Sequence, residues 1–112
     1  MKVSELIQPP EYFIPFRFSH KRRCPDQSGC YILSNHSHEI LYIGLTVNLS
    51  RRFEEHWDSD GKRRLTDLGR SIWFEWRETN DLETMERSWM NHHLAVTGAL
   101  PVLNKLYSPT RI

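Results

Sequence analysis

Two β-rich runs separated by four polar residues constrain the fold of this chain more than any other feature. The first run, Gly-Cys-Tyr-Ile-Leu-Ser, covers residues 29–34, and the second, Glu-Ile-Leu-Tyr-Ile-Gly, covers residues 39–44. The residues between them, Asn-His-Ser-His, are polar and suited to a turn. This pattern predicts a β-hairpin, because β-branched and aromatic residues favour strands and a short polar segment lets the chain reverse.

The register of that hairpin would bring two tyrosines together. If the loop spans residues 35–38, Ser34 pairs with Glu39, and counting outward places Tyr31 directly opposite Tyr42. Directly opposed residues of an antiparallel pair share one face of the sheet. Two phenols on one face could accept a proton, orient water or bind phosphate, although this feature alone is more typical of simple packing.

Helix caps and periodicity predict the remaining elements. Asn48 is a good N-cap for a helix that runs to about residue 57, and residues 71–77 predict a third strand. A last helix is expected from residue 82 to about residue 97, where Gly98 stops it, and residues 58–70 form a polar connection with one short helical turn. The order β-β-α-β-α predicts an α/β (α+β) domain with a small, mainly antiparallel three-stranded sheet flanked by helices.

The first 27 residues differ in composition from the rest of the chain. They contain four of its six prolines. They also contain a run without acidic residues that holds the basic side chains Arg17, Lys21, Arg22 and Arg23. We therefore expect a weakly structured basic arm over residues 1–27, followed by one folded domain over residues 28–112.

Composition excludes several classes of protein. A chain of 112 residues has room for about one domain. Its formal net charge of +1 does not by itself require a polyanionic partner. Cys24 and Cys30 are too few for a disulfide framework, and their spacing matches no zinc signature. No apolar run approaches the roughly 18 residues of a membrane span, so a cytoplasmic protein with no membrane partner is expected.

The first helix presents two polar side chains at the margin of its buried face. That face is formed by Leu49, Phe53 and Trp57. Arg52 and His56 lie one turn apart beside it, whereas Arg51 points away. An arginine there could neutralise a phosphoryl oxygen, and a histidine could relay a proton near neutral pH. Charged residues beside an apolar stripe are also common on ordinary helices.

The last helix carries an inward carboxylate. Its apolar stripe is formed by Leu82, Met85, Trp89, His93 and Val96. Glu86 lies only about 40° from the centre of that stripe at 100° per residue. Burial of a carboxylate is costly unless a metal ion or an arginine compensates its charge. Glu86 is therefore either a candidate site residue or half of a buried ion pair.

Several of these residues fall into one ordered pattern. It consists of Gly29-Cys30-Tyr31, Tyr42-Ile43-Gly44, Arg52, His56, Glu86 and Pro101-Val102-Leu103-Asn104. From about residue 28 to residue 104 this pattern resembles the GIY-YIG endonuclease family. Cys30 stands where the name motif of the family has isoleucine, and it alternates away from Tyr31, so it should pack in a similar way.

This resemblance implies a divalent-metal-dependent endonuclease that hydrolyses DNA phosphodiester bonds by a one-metal mechanism. The implied catalytic residues are Tyr31, Tyr42, Arg52, His56, Glu86 and Asn104. Glu86 would bind Mg²⁺, with Mn²⁺ as a possible substitute. Tyr31 and Tyr42 would hold and deprotonate the attacking water, Arg52 would stabilise the phosphorane charge, and His56 and Asn104 would support them. A phenol with a pKa of about 10 needs a shift of roughly 3 units, or about 4 kcal/mol, to act as a base at pH 7, and which tyrosine does so stays open.

The implied partner is DNA, duplex or branched. Binding would fall on two basic clusters, Arg17, Lys21, Arg22 and Arg23 in the arm and Lys62, Arg63 and Arg64 in the connection. One site cuts one strand, so a double-strand break needs two copies or two visits. We expect a homodimer on DNA because the sequence shows no separate targeting domain. Two other interpretations are a nucleic-acid-binding module without catalysis and a structural domain whose aromatic residues are only core.

Overall fold

The fold is a four-stranded antiparallel sheet with helices on both faces. The computed structural model describes residues 1–104. Its strands are β1 (Tyr12–Pro15), β2 (Gly29–Ser34), β3 (Ile40–Thr46) and β4 (Trp73–Glu78), its α-helices are α1 (Leu49–Trp57), α2 (Asp60–Arg63) and α3 (Leu82–Thr97), and two 3₁₀ helices cover Val3–Glu5 and Phe18–Arg23. None of the helices in this described part is long and apolar enough to span a bilayer.

The sheet has one strand more than the sequence predicts. Its order is β1-β4-β2-β3, and every neighbouring pair is antiparallel. The added strand, β1, pairs with β4 so that Ile14 faces Phe74 across the ladder. Pro15 is tolerated in this strand because β1 lies at the edge of the sheet, where one side of its backbone needs no partner. The predicted α+β class is confirmed, and the prediction of three strands is wrong.

The first 27 residues are packed onto the domain and do not form a weakly structured arm. Val3, Leu6, Ile14, Phe16 and Cys24 are all buried. The basic run becomes the second 3₁₀ helix, which lies against α1, and an ion pair of 2.9 Å joins Lys21 of this helix to Glu54 of α1. The prolines therefore shape the path of a segment that completes the core. The end of the predicted 28–112 domain, residues 105–112, lies outside the described residues.

Each face of the sheet buries its own apolar cluster. On one face, Tyr31 and Phe74 pack with Phe53 of α1. On the other face, Ile32 and Cys30 pack with Trp89 of α3. Alternation along β2 sends Tyr31 to the α1 face and both of its neighbours to the α3 face. The strand is buried along its whole length because helices cover both of its sides.

The register of the hairpin differs from the prediction by two residues. Tyr31 pairs with Gly44, and Tyr42 pairs with Leu33, with an irregularity between Leu33 and Ser34. The turn adds one residue to this shift, because Ser34 pairs with Ile40, and the irregularity adds the other. Within the turn, the Oδ1 atom of Asn35 accepts the backbone N–H groups of Ser37 and Glu39, each at 2.9 Å. A shift of two residues preserves the face, so the two tyrosines are diagonal neighbours on the same side of the sheet.

Both long helices have the predicted bounds. Asn48 caps α1 by accepting the N–H of Arg51 at 3.0 Å, and Gly98 ends α3 in the left-handed conformation with φ of 77°. The predicted helical turn in the connection is α2. Trp89 is fully buried, as expected, but Val96 is 56% exposed. The predicted inner stripe of α3 therefore ends before its last member.

Substitution of Phe16 tests whether the N-terminal segment belongs to the core. Phe16 is 3% exposed and lies edge-on to the ring of Phe53 at 5.2 Å. Phe16→Ala should lower the free energy of unfolding by about 3–5 kcal/mol, because it leaves a cavity in a packed core. Phe18→Ala, at a position that is 52% exposed two residues later, is the control and should cost less than about 1 kcal/mol. Equal small losses in urea unfolding would show that the segment is not part of the core.

Candidate active site

Glycines allow the strands to approach the buried Tyr31 closely. A Cβ atom on Gly44 would lie 2.5 Å from the hydroxyl oxygen of Tyr31, so the ring of Tyr31 occupies the space above this glycine. A Cβ atom on Gly29 would lie 2.7 Å from the carbonyl oxygen of Arg77. Neither position can hold a larger residue without movement of the surrounding atoms. The first and last glycines of the two tripeptides thus have a steric cause.

Tyr31 and His56 form a buried hydrogen-bonded pair. The hydroxyl of Tyr31 lies 2.5 Å from Nε2 of His56. Burial, followed by the nearby charges of Lys62 and Arg52, lowers the pKa of His56 to about 3. The imidazole is therefore neutral at pH 7, and its Nε2 can accept the phenolic proton. Burial also raises the pKa of Tyr31 well above 10, which keeps the hydroxyl protonated.

Tyr42 lies beside this pair and is more accessible. Its ring centroid is 6.0 Å from that of Tyr31 and 5.3 Å from that of His56. Burial raises the pKa of Tyr42, whereas the hydroxyl of Tyr31 and the charge of Arg52 lower it. Nζ of Lys62 lies 4.4 Å from the centroid of the Tyr42 ring, in a cation–π contact. The phenol therefore stands between two cationic side chains.

Arg52 faces the two phenols, as helix geometry predicts. Its side chain is 11% exposed, and Nε lies 2.9 Å from Oε1 of Glu55. Its positive charge lowers the pKa of both Tyr31 and Tyr42, which opposes the effect of burial. Arg51, the preceding residue, is 48% exposed and lies 3.9 Å from Glu55. The two adjacent arginines thus have different surroundings on the same helix.

Glu86 approaches the site from the other face of the sheet. It is half-buried on α3, and its pKa is raised by burial and then by the negative charge of Glu83. It also raises the pKa of Tyr42, so the carboxylate lies within electrostatic range of that phenol. Helix α3 packs against β3, the strand that carries Tyr42, and this brings the carboxylate near that phenol.

The surroundings of Glu86 fit a divalent cation. The positive charge of Arg87 offsets part of the rise in the pKa of Glu86, but within residues 1–104 no ion pair closer than 4.0 Å joins Glu86, and no cluster of three or more histidine, cysteine or acidic residues could hold a metal ion alone. Mg²⁺ in enzymes that act on phosphates is typically held by one or two carboxylates, with phosphate and water oxygens completing its shell, so one partly desolvated carboxylate fits such a ligand. A bound cation would relieve the burial penalty that raises the pKa of Glu86.

Asn104 holds the edge of the sheet next to the site. Its Oδ1 atom accepts the N–H of Ile43 at 2.9 Å, and its Nδ2 atom donates to the carbonyl of the same residue at 3.0 Å. The N–H of Leu103 donates to the carbonyl of Leu41 at 2.9 Å. The side-chain amide thus replaces a strand partner for β3 between Tyr42 and Gly44. Asn104 touches the backbone that carries Tyr42 and uses both of its polar atoms there.

The two predicted basic clusters both lie next to α1. The second 3₁₀ helix and α2 both contact this helix. In the first cluster, Arg17, Arg22 and Arg23 are exposed, and Lys21 pairs with Glu54. In the second, the guanidinium of Arg63 lies 4.7 Å from the ring centroid of Trp57, and Arg64 is exposed. The contact of Lys62 with the Tyr42 ring was not predicted, because a run of basic residues does not reveal which of them folds back.

A comparison with known families identifies the family of this chain. Residues 27–98, more than half of the chain, match the model of the GIY-YIG catalytic domain. The chain therefore belongs to the GIY-YIG family, a family of nucleases that are generally dependent on a divalent metal and whose substrate is DNA. No curated protein matches the chain closely enough to count as a relative. Strand β1 lies outside the matched residues and extends the sheet beyond them.

Paired glycine substitutions test the packing of Tyr31 over Gly44. Gly44→Ala should lower the free energy of unfolding by about 1–3 kcal/mol, because its methyl group overlaps the buried phenol. Gly61→Ala in α2 meets nothing nearer than 3.6 Å and should raise it by about 0.5–1 kcal/mol. Thermal and urea unfolding of both variants measure the difference. Stabilisation by both substitutions would mean that Tyr31 does not lie over Gly44.

The neutral state of His56 predicts a pH dependence of stability. Its pKa is about 3 in the fold and about 6.5 in the unfolded chain, so only the unfolded chain takes up a proton between these values. Stability should therefore fall as the pH drops through this window. From pH 5.5 to pH 4.5, the free energy of unfolding of wild type should fall by about 1 kcal/mol more than that of His56→Gln, as measured by urea unfolding. Equal losses would mean that the buried imidazole carries a proton.

Proposed function

We propose that this protein is a divalent-metal-dependent endonuclease that hydrolyses phosphodiester bonds in duplex or branched DNA. One observation carries the proposal: the buried Tyr31 hydroxyl is bound to a neutral His56, with Tyr42 and Arg52 beside it. A structural core has no need of a desolvated phenol hydrogen-bonded to a desolvated imidazole next to a guanidinium. Perturbed groups of this kind cluster at sites of chemistry.

The two phenols would activate the attacking water. Burial makes the Tyr31 hydroxyl difficult to ionise. Tyr31 would therefore take a proton from water only as its own proton moves to Nε2 of His56. This coupled transfer avoids a buried negative charge on the phenol, and the phosphate that binds nearby would favour the imidazolium. Tyr42, which is more accessible and lies under Lys62, would orient the water.

Arg52 would stabilise the charge that develops on the phosphorus oxygens. Its guanidinium is already desolvated beside the phenols, so it needs little reorganisation as the reaction proceeds. A planar fork of donors suits two phosphoryl oxygens at once. Asn104 would act as a positioning residue, because both polar atoms of its side chain bind the backbone of Ile43, next to Tyr42.

Glu86 would hold the metal ion, Mg²⁺ or in its place Mn²⁺, in a one-metal mechanism. The ion, when bound, would polarise the phosphate and stabilise the leaving oxygen. What this chain contributes is a half-buried carboxylate at the edge of β3, within electrostatic range of Tyr42. Lys62, Arg63 and Arg64, with the exposed cations of the second 3₁₀ helix, would bind the DNA backbone next to α1.

We also propose that the protein acts on DNA as a homodimer when both strands are cut. One site of the kind described here breaks one strand, so a double-strand break needs a second copy or a second visit. Light scattering of the protein bound to a short duplex measures the number of copies. A monomer that yields only nicked product would remove this part of the proposal.

The test of the function is a substrate panel with Glu86→Gln and a matched control. With Mg²⁺, wild type should cut at least one of a plasmid, a flap and a four-way junction, and EDTA should stop the reaction. Glu86→Gln should lose activity by about a thousandfold or more, because the charge that holds the metal is removed. The variant should bind DNA as before and be slightly more stable, since a neutral amide is buried at lower cost than the carboxylate.

Glu83→Gln is the control, because Glu83 is an exposed carboxylate in the first turn of the same helix. It should retain wild-type activity within about threefold, as is usual for a surface substitution. If wild type binds DNA but leaves the plasmid, the flap and the junction uncut with both Mg²⁺ and Mn²⁺, the protein is a binding module without catalysis. Normal cutting by Glu86→Gln would mean that this carboxylate is structural.

A further inference from the structure

The connection between α2 and β4 holds two leucines in solvent. Leu65 is 64% exposed and Leu68 is 41% exposed. A single exposed leucine is common on protein surfaces and needs no explanation. Here, two of them lie within one short turn, three and six residues after a lysine that contacts the candidate active site.

This turn is anchored. Thr66 and Gly69 exchange backbone hydrogen bonds of 3.0 and 2.9 Å, and Gly69 has a φ of 103° that favours glycine. The side chain of the buried Asn35 donates to the carbonyl of Leu68 at 2.7 Å. The backbone is therefore fixed to the hairpin, and the two leucines are presented outward by a supported turn.

Cations flank the leucines on both sides. Residues 62–70 contain Lys62, Arg63, Arg64 and Arg70, against one acidic residue, Asp67. Lys62 and Arg63 are held on the rings of Tyr42 and Trp57, and Arg64 and Arg70 are exposed. With four cations against one acid, residues 62–70 carry a net charge of +3 around the two leucines, although the exposed Asp67 lies between them. This combination is complementary to a nucleic acid backbone with an opened base step between its phosphates.

We propose that Leu65 and Leu68 form a wedge that enters the minor groove and unstacks a base step close to the phosphate being cut. The inference rests on the proposed function and adds the class of substrate. Proteins that bend DNA insert apolar side chains between bases while neighbouring cations hold the phosphates. The enzyme would therefore prefer DNA in which such a step is already open or opens readily, as at a bulge, a nick or a branch.

The chain length limits the distance between wedge and site. Leu65 is three residues from Lys62, and an extended chain covers at most about 3.5 Å per residue, so the two Cα atoms are within about 10 Å. DNA advances about 3.4 Å per base pair. Leu68 is six residues from Lys62, which allows about 20 Å between their Cα atoms, and the Lys62 side chain adds its own length, so the wedge should act within about one helical turn of the phosphate that meets Tyr42 and Arg52.

A fluorescence experiment tests the wedge without requiring cleavage. Duplexes carrying 2-aminopurine at successive positions are titrated with wild type in EDTA, where unstacking increases the emission of this base. Wild type should increase it at least threefold at one or two adjacent positions. The double variant Leu65→Ser, Leu68→Ser should abolish the increase at saturating protein. Leu94→Ser, which replaces a leucine that is 46% exposed on α3, should leave it unchanged.

Cleavage then tests the preference for an open step. On an intact duplex the double variant should lose at least tenfold in kcat/KM, and on the same sequence with a two-nucleotide bulge it should lose less than threefold. Equal losses on both substrates, no loss on either, or an absent fluorescence change in wild type would overturn the wedge. If wild type cuts neither substrate yet shows the fluorescence change, the proposed function fails and the wedge stands.

Anionic lipid is the competing partner for an apolar and cationic surface. Sedimentation with phosphatidylserine vesicles measures it directly. Binding that depends on both leucines, together with unchanged 2-aminopurine emission, would assign the surface to a membrane and overturn the proposal. We expect no sedimentation above that of the double variant.

Discussion

The hydrogen bond between Tyr31 and His56 is the interaction on which the rest of the site depends. Both side chains are buried, so burial of either polar group without its hydrogen-bond partner would destabilise the fold. Together they form a neutral pair that can pass a proton. The pair fits only because Gly44 leaves room for the phenol. Arg52 then adds a positive charge next to the phenol that burial has made harder to ionise.

The edge of the sheet joins two surfaces that would otherwise be separate. Tyr42 projects from β3 toward α1, and Glu86 lies on α3 across the sheet, yet its carboxylate affects the pKa of Tyr42. This is possible because α3 packs against β3, the strand that carries Tyr42. Leu103 and Asn104 cover the outer backbone of this strand at residues 41–43 and satisfy its hydrogen bonds. The backbone of an edge strand that would otherwise be open is thus closed beside the site.

Local rules predicted the parts of the molecule that are set by nearby residues, including the Asn48 cap of α1 and the inward position of Arg52. They failed where distant residues decide the structure. Strand β1 pairs with a strand about sixty residues later, and no local pattern shows this. The hairpin register depends on the length of the turn, where the side chain of Asn35 accepts two backbone N–H groups, and on an irregularity in the strand pairing. The inward carboxylate of Glu75 was not predicted, and it is satisfied by Ser34 and by a histidine of the turn.

Single-turnover cleavage by two adjacent arginine variants tests the arrangement of the site most directly. Arg52 is nearly buried beside the phenols and Arg51 is half-exposed, although composition and charge cannot tell them apart. Arg52→Ala should lose about 3 kcal/mol or more of transition-state stabilisation, seen as at least about a hundredfold fall in rate. Arg51→Ala should change the rate by less than about threefold and weaken DNA binding in a salt-sensitive way. Equal losses, or a larger loss at Arg51, would contradict the active site described here.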